Sequence, residues 1–534
     1  MESRVDTRGW RTDDSVPISA LHQDLLWRIF LINADMDNDK PTRHILFSGD
    51  QKLDLNVTFP DWKNRALVTT WSCSHVCRGW RELIIHSPSL WGQLIDLEIL
   101  VFVQPRWRDA IMNRTGKSNL IVKGNVDGRK TNTQDFLVSI LRDHWVRIQS
   151  LKVIINKAHA FPSQTWDYLC RPAPVLRIFH FQPVDIPLSV TIGPLFANNA
   201  PQLTDFQSHT IRLKLAASTP WLSHIRRFEL SCPESMPVQN WLRVLESMPQ
   251  IESLDLAWAL DIPLDTETSI QLHLPNLQDI RLFDRLRPCV VFLAQITPAV
   301  GCRLSFLSEF STLHLPQPQD MILAGQCLSK YMQNWFGNRA VTALSVSITH
   351  MIITIQEYQN PSFRSRPNFC ISIGSVEPEI LPTVFPIFDA FSSSAFSKIT
   401  TFEFNVLLPR LQVLGSSVAR FLLSLQFVET LQTVDGSLHH LNYLEETLRL
   451  TEDEPSELLP SFFPRLRSVK MLRRTDRISD LSQLEVEDIL SFINLRRNQA
   501  PVQVLDLADW RPLKATHVLN RISGLKVIFK TVGA

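Results

Sequence analysis

Apolar residues follow two rhythms along this chain, a helical one near the amino terminus and a strand-like one beyond about residue 148. In 18–31, ISALHQDLLWRIFL, Leu21, Leu25 and Ile29, with Leu26 and Phe30 beside them, recur at i, i+4 spacing. Residues so spaced stack along one side of a helix, so the segment predicts an amphipathic helix with one apolar stripe. Ser19 is placed to cap it, and Pro17 discourages an earlier start. The polar, acidic run NADMDNDK, followed by Pro41, Gly49 and Pro60, predicts a loop insert over about 33–66. Helical spacing returns in 67–86, where Leu67, Trp71, Val76, Trp80, Leu83 and Ile84 form a second apolar face. Ser87-Pro88 ends that helix, and Pro88 can open a short one with Leu90 and Trp91 on its buried side.

The second rhythm is apolar-x-x-apolar-x-apolar, often after a proline. It appears as IQSLKVI (148–154), PVLRIFHF (174–181), PQLTDF (201–206), IRRFEL (225–230), PQIESLDL (249–256) and PNLQDIRL (275–282). Later copies are FSTLHL (310–315), VTALSV (341–346), ITTFEF (399–404), PRLRSVKM (464–471) and VQVLDL (502–507). The early copies recur at roughly 22 to 28 residues, the length of a unit made of one short strand and one helix or turn. One such unit cannot bury its apolar side alone, so neighbours must stack and share a core. Segment 238–249, VQNWLRVLESMP, fits an intervening helix that buries Trp241, Leu242 and Leu245. A helix is expected over 415–428 and a weak strand near Leu431. The acidic 444–457 is expected as a surface loop. The wide gap between 341 and 399 holds either a drifted copy or an insertion of about one unit.

Composition narrows the function classes. Lys+Arg of 54 against Asp+Glu of 53 gives no basic excess to favour nucleic acid or an anionic membrane as partner. Only 16 glycines argue against folds built on glycine-rich phosphate loops, and 33 prolines suit short strands broken at regular intervals. The eight cysteines show no paired framework, which reads as reduced thiols in a cytoplasmic or nuclear protein. Met1–Asp14 is polar and lacks the apolar core of a signal peptide, and residues 1–16 read as a flexible tail. No apolar run reaches membrane-spanning length; Leu94–Val103 is short and interrupted by Asp96 and Glu98. The sequons at Asn56 and Asn113 carry no weight without a secretory signal.

Motifs for chemistry are sparse. Cys73, His75 and Cys77 offer half of a zinc site, but a second ligand pair is missing, so no metal or other cofactor is expected. GNVDGRKT (124–131) is one residue short of a phosphate loop and is read as a basic turn. His439-His440 before an acidic stretch is explained by a solvated loop as well as by an acid–base site. Trp166, Trp221, Trp241, Trp258, Trp335 and Trp510 are spread along the repeats and are read mainly as core, with any exposed one a candidate contact for a partner.

The amino-terminal pieces resemble an F-box. ISALHQDLLWRIF is similar to its opening, usually Leu-Pro-x-Glu-Leu-Leu-x-x-Ile-Phe, with His22 in place of proline and Asp24 in place of glutamate. CSHVCRGWRELIIHSPSLWGQLIDL resembles the continuation, with Val76, Cys77, Arg78, Trp80, Arg81, Leu83, Pro88, Leu90 and Trp91 in order. With the repeats, the architecture looks like that of fungal F-box proteins carrying divergent leucine-rich repeats. The resemblance implies an α/β chain: a small helical F-box-like module followed by a leucine-rich-repeat-like solenoid. The expected boundaries are an F-box-like domain at 17–96, a connecting segment at 97–147 and repeats at 148–534.

It further implies a non-catalytic substrate receptor that joins a Skp-type adaptor, and through it a cullin–RING ubiquitin ligase, to an unidentified protein substrate. No nucleic acid or membrane partner is expected. The implied adaptor contacts are Leu21, Leu25, Leu26, Ile29, Phe30, Val76, Trp80, Leu90 and Trp91. Two alternatives stand beside it. One is a scaffold without a ligase, whose amino-terminal helices only cap the solenoid. The other, of a different class, is an enzyme with an unrecognised site among the repeats.

Overall fold

The computed structural model describes residues 21–39, 64–185, 192–210, 213, 215–231, 235–262, 270–310, 316–358, 367–375, 377–391, 393–410, 414–434, 436–451, 461–473, 482–497, 500–510 and 514–529. The chain divides into two compact units, Met1–His209 and Thr210–Ala534. Both combine α-helices with open, mostly parallel β-sheet.

The first unit opens with α1, Gln23–Asn33, where His22 Nδ1 accepts from the Asp24 N–H at 3.3 Å and caps the helix. The cap expected at Ser19 lies outside the described residues. The single helix expected over 67–86 is two, α2 (Ala66–Cys73) and α3 (Arg78–Ile85). The break falls at Cys77, whose backbone is extended and whose Sγ accepts from the Trp80 N–H at 3.4 Å, capping α3. α4 (Pro88–Gly92) starts on its proline as expected, since proline's missing N–H is not needed in a first turn.

Next come β1 (Ile95–Asp96), α5 (Leu97–Leu100), α6 (Pro105–Arg114), β2 (Leu120–Asp127), α7 (Thr131–His144) and β3 (Ile148–Asn156). β4 (Ile178–Pro183) and β5 (Asp205–His209) complete the unit. All five strands run parallel in chain order. The segment 97–147, expected as a connection, therefore belongs to the sheet: Lys123 of β2 lies beside Lys152 of β3. The polar run Lys123-Gly124-Asn125 in mid-strand hides the alternation there, although Leu120, Val122 and Val126 all point inward and are buried. Their layer continues through Leu151, Val153, Phe179, Phe181 and Phe206. Phe179 stacks on Phe206 at 5.5 Å between ring centres.

Four of the corners after strands turn tightly. Lys157, Asp185, Thr210 and Trp258 follow strand ends with φ between 55° and 61°, a conformation side chains normally avoid. The Trp258 N–H donates to the Phe283 carbonyl at 2.8 Å, so this left-handed residue ties its corner to the next strand.

In the second unit β6 (Arg227–Ser231), β7 (Ser253–Ala257), β8 (Asp279–Phe283) and β9 (Arg303–Phe310) pair in parallel order. β9 ends at Phe310, the first residue of the strand expected at 310–315; residues 311–315 lie outside the described residues. The gap after 341 is filled by a meander. β10 (Ala343–Thr349) pairs antiparallel with β11 (Ile352–Glu357), which pairs antiparallel with β12 (Phe369–Ser375). β12 returns to lie parallel to β9, and β10 lies parallel to β13 (Thr401–Leu407), so two further strands are spliced in without breaking the sheet. β14 (Thr430–Val434), β15 (Ser468–Leu472), β16 (Val504–Leu507) and β17 (Lys526–Phe529) follow in parallel.

One inward row runs Leu230, Leu256, Leu282, Phe306, Ile371, Ile355, Val346 and Phe404, all buried. The same register aligns a polar row on the other face: Glu229, Asp255, Arg281, Ser305, Cys370, Gln356, Ser345, Glu403, Gln432, Lys470 and Asp506, of which Ser345 is buried.

The connecting helices are α8 (Val238–Glu246), α9 (Leu286–Ala294), α10 (Pro318–Asn338), α11 (Ser416–Ser424), α12 (Ser437–Thr451) and α13 (Gln483–Arg496). α8 buries Trp241, Leu242 and Leu245 as expected. The surface loop expected from 444 is instead α12 as far as Thr451, with 452–457 outside the described residues. His439 and His440 lie on the same helix and not on a solvated loop.

Candidate docking surface on the amino-terminal helices

The apolar stripe of α1 splits into two rows with opposite fates. Leu26 and Phe30 are buried, and the Phe30 ring meets Trp80 of α3 edge-on at 5.0 Å. Leu25 and Ile29, with Ile32 one turn on, are 48%, 37% and 69% exposed. Val76, in the turn between α2 and α3, is also exposed, and Leu21 and Trp80 are half-buried. Leu90 and Trp91 are fully buried: Trp91 Nε1 donates to the Ile84 carbonyl at 2.9 Å, and the Arg114 guanidinium lies over its ring at 4.8 Å. Of the expected contact set, Leu26, Phe30, Leu90 and Trp91 thus build the module's interior, while Leu25, Ile29 and Val76 are presented to solvent. Ile32 belongs to the exposed row. The i+7 step from Leu25 was readable, but the acidic run after Asn33 drew the helix boundary before it.

A charged cluster holds this module on the sheet. Arg65 is nearly buried, with Nε 3.0 Å from Asp96, Nη1 2.6 Å from Glu98 and Nε 3.6 Å from Asp39. Asp96 also caps α5, accepting from the Glu98 N–H at 2.9 Å and the Ile99 N–H at 3.3 Å. Three carboxylates share one guanidinium out of water. Burial pushes Asp96 up to about 6, with Arg65 opposing and Glu98 adding to the rise. Burial also raises Asp39, against the pull of Ala66 N–H and Arg65.

Nearby, Asp37 bridges Lys152 at 2.6 Å and Lys123 at 3.3 Å. Burial would raise Asp37, but the two lysines outweigh it and hold the carboxyl below its ordinary value. A pocket of about 250 Å³ lies here, lined among others by Met36, Asp37, Ile121, Ser150, Lys152 and Arg177.

The other candidates resolve as structural parts. Among the described residues no His, Cys, Asp and Glu group could hold a metal ion. Cys77 caps α3, and His75 packs against the edge of Trp71 at 5.5 Å. Gly124–Asp127 is strand, and the Gly128 N–H that a phosphate would need already donates to the Asn156 carbonyl at 2.8 Å. Asp488 braces α13 against Arg410, with oxygens 2.6 and 3.4 Å from its guanidinium, and lies 3.5 Å from His439. His440 is buried, and its burial lowers its proton affinity.

Trp166, Trp221, Trp241, Trp335 and Trp510 are buried core, whereas Trp258 is 44% exposed and packs on Phe283 at 4.7 Å. Phe283 lies one outward step along β8 from Arg281, so the aromatic pair borders the polar row. No helix among the described residues is long and apolar enough to cross a membrane. In comparisons with known proteins, no family model and no curated protein matches the chain.

Proposed function

We propose that this chain is a substrate receptor of a cullin–RING ubiquitin ligase, with an F-box-like helical module followed by a leucine-rich-repeat-like solenoid. On this reading the module docks a Skp-type adaptor and the outward face of the repeat sheet holds a protein substrate. The observation that carries it is the exposed row Leu25, Ile29 and Ile32 on a helix whose opposite row is packed. Large aliphatic side chains left in water on one helix face are anchors for a partner, each contributing roughly 1.5–3 kcal/mol when fully buried. Val76 extends the anchor set, with Leu21 and Trp80 at its margin. The receptor performs no transfer chemistry; the outward polar row and the exposed Trp258 supply the kind of surface on which a polypeptide is recognised.

The test is co-purification with a Skp-type adaptor, wild type beside Leu25→Asp/Ile29→Asp. Both positions are exposed, so the variant is expected to fold, which its melting curve checks. Wild-type binding that disappears in the variant supports the reading. A wild type that does not bind, or a variant that binds as well, overturns it.

A second reading has its own support. Leu90 and Trp91 are spent inside the module, and Asp37 ties the segment after α1 to Lys123 and Lys152 of the sheet. A terminal cap on a ligase-free scaffold would be built the same way. In that case substitutions on the exposed row of α1 leave every interaction of the protein unchanged.

A further inference from the structure

α2, α6 and the start of α7 build an exposed aromatic cluster that the helical-module reading does not use. Trp71 of α2 and Trp107 of α6 meet edge to face at 4.7 Å and remain 39% and 37% exposed. Phe102, just before α6, is 58% exposed. The parts are joined by direct contacts. Lys130 Nζ lies over the Phe102 ring at 5.0 Å, and the Arg108 guanidinium lies over Phe136 at 5.2 Å while donating to the Asn132 carbonyl at 3.2 Å. Arg106 is exposed in the first turn of α6. Neither Arg106, Arg108 nor Lys130 forms an ion pair among the described residues, whereas Arg129 in the same turn is spent on Asp127 at 3.2 Å. Cations left without carboxylates, set among water-exposed tryptophan and phenylalanine, make a surface short of negative charge and of apolar cover.

We propose that this cluster docks an acidic polypeptide segment of a partner protein. Its carboxylates meet Arg106, Arg108 and Lys130, and its aliphatic side chains cover Phe102, Trp71 and Trp107. Arginine and tryptophan together are the residues that dominate protein interfaces, and arginine's fork suits a carboxylate. Two features favour a polypeptide over a nucleic acid. Stacked bases need free ring faces, and here Lys130 covers one face of Phe102 while the edge of one tryptophan covers a face of the other. The chain also lacks the broad basic field that phosphate backbones draw, with Lys+Arg 54 against Asp+Glu 53.

The experiment uses the full chain and a fluorescent peptide of alternating glutamate and leucine. A lysine–leucine peptide of the same length, an oligothymidylate and phosphatidylserine-containing vesicles serve as comparisons. The glutamate–leucine peptide is expected to bind best, to shift tryptophan emission, and to weaken as salt rises. Arg106→Glu/Lys130→Glu is expected to lower its affinity at least about tenfold. Both positions are exposed, so this variant should melt as the wild type does. Trp107→Phe is expected to bind with a smaller emission change. Equal binding of the two peptides, or unchanged affinity in the charge-reversed variant, overturns the proposal. Stronger binding of the oligonucleotide or the vesicles overturns the assigned partner. Leu25→Asp/Ile29→Asp should leave this binding intact, so it fails or stands separately from the adaptor reading.

Discussion

Replacing Asp96 by asparagine should reverse part of the pH dependence of stability. Asp96 is fully buried, shares Arg65 with Glu98 and Asp39, and has its acid constant pushed from 3.8 to about 6. A carboxyl raised in the folded state holds a proton that the unfolded chain has lost. The contribution of Asp96 to stability is therefore greatest below about 4 and is lost as pH rises through about 6. The change amounts to roughly 3 kcal/mol, at about 1.4 kcal/mol per tenfold. Asparagine keeps an oxygen that can accept from the Glu98 and Ile99 N–H groups, so the cap survives, and Arg65 keeps its other two acids. The variant's absolute stability also carries the lost Arg65 contact, but that offset does not titrate. The expected result is a wild-type minus variant difference that moves by about 3 kcal/mol towards the variant between acid and neutral pH. Urea unfolding followed by tryptophan emission across that range measures it. Wild type and variant that track in parallel would refute the argument that the cluster holds one carboxylate too many.

Trp241→Ala should cost about 3–5 kcal/mol, because the ring is buried against Phe228 and its Nε1 donates to the Ala259 carbonyl at 2.8 Å; chemical denaturation reports it. Trp258→Asn should change stability by less than about 1 kcal/mol despite removing an equally large ring, since asparagine tolerates the left-handed backbone better and the ring is half in water. Arg496→Met alone should destabilise by roughly 3–5 kcal/mol, because it removes the cation beside the buried Glu445 and a 2.7 Å bond to the Phe463 carbonyl; adding Glu445→Gln should recover part of the loss in the same assay. Gly325→Ala should lower the melting temperature, since a Cβ there would stand 2.6 Å from the Ala390 Cβ and overpacking costs about 1–3 kcal/mol.

Much of the sheet was legible in the chain because a strand with one buried face must alternate. That is why PQIESLDL and PNLQDIRL mark β7 and β8, and why the regular spacing predicted stacked neighbours. The alternation failed where polar residues interrupt it, at Lys123-Gly124-Asn125 in β2, and where the period was broken by insertion, at β11 and β12. Antiparallel pairing within the meander is a relation between strands, and no single strand's sequence carries it. On α1 the i, i+4 pattern placed Leu25, Leu26, Ile29 and Phe30 on one stripe. Its width covers two rows, and nothing local separates them. Only the position of α3, bringing Trp80 onto Phe30, decided that Leu26 and Phe30 are interior and Leu25 and Ile29 are surface. The same holds for charge. Arg65, Asp39, Asp96 and Glu98 lie in separate segments, and their shared burial, with the proton it retains on Asp96, exists only once the helices close on the sheet. Local spacing determines which faces are apolar; which of those faces stays in water depends on what packs against it, and that is a property of the folded chain alone.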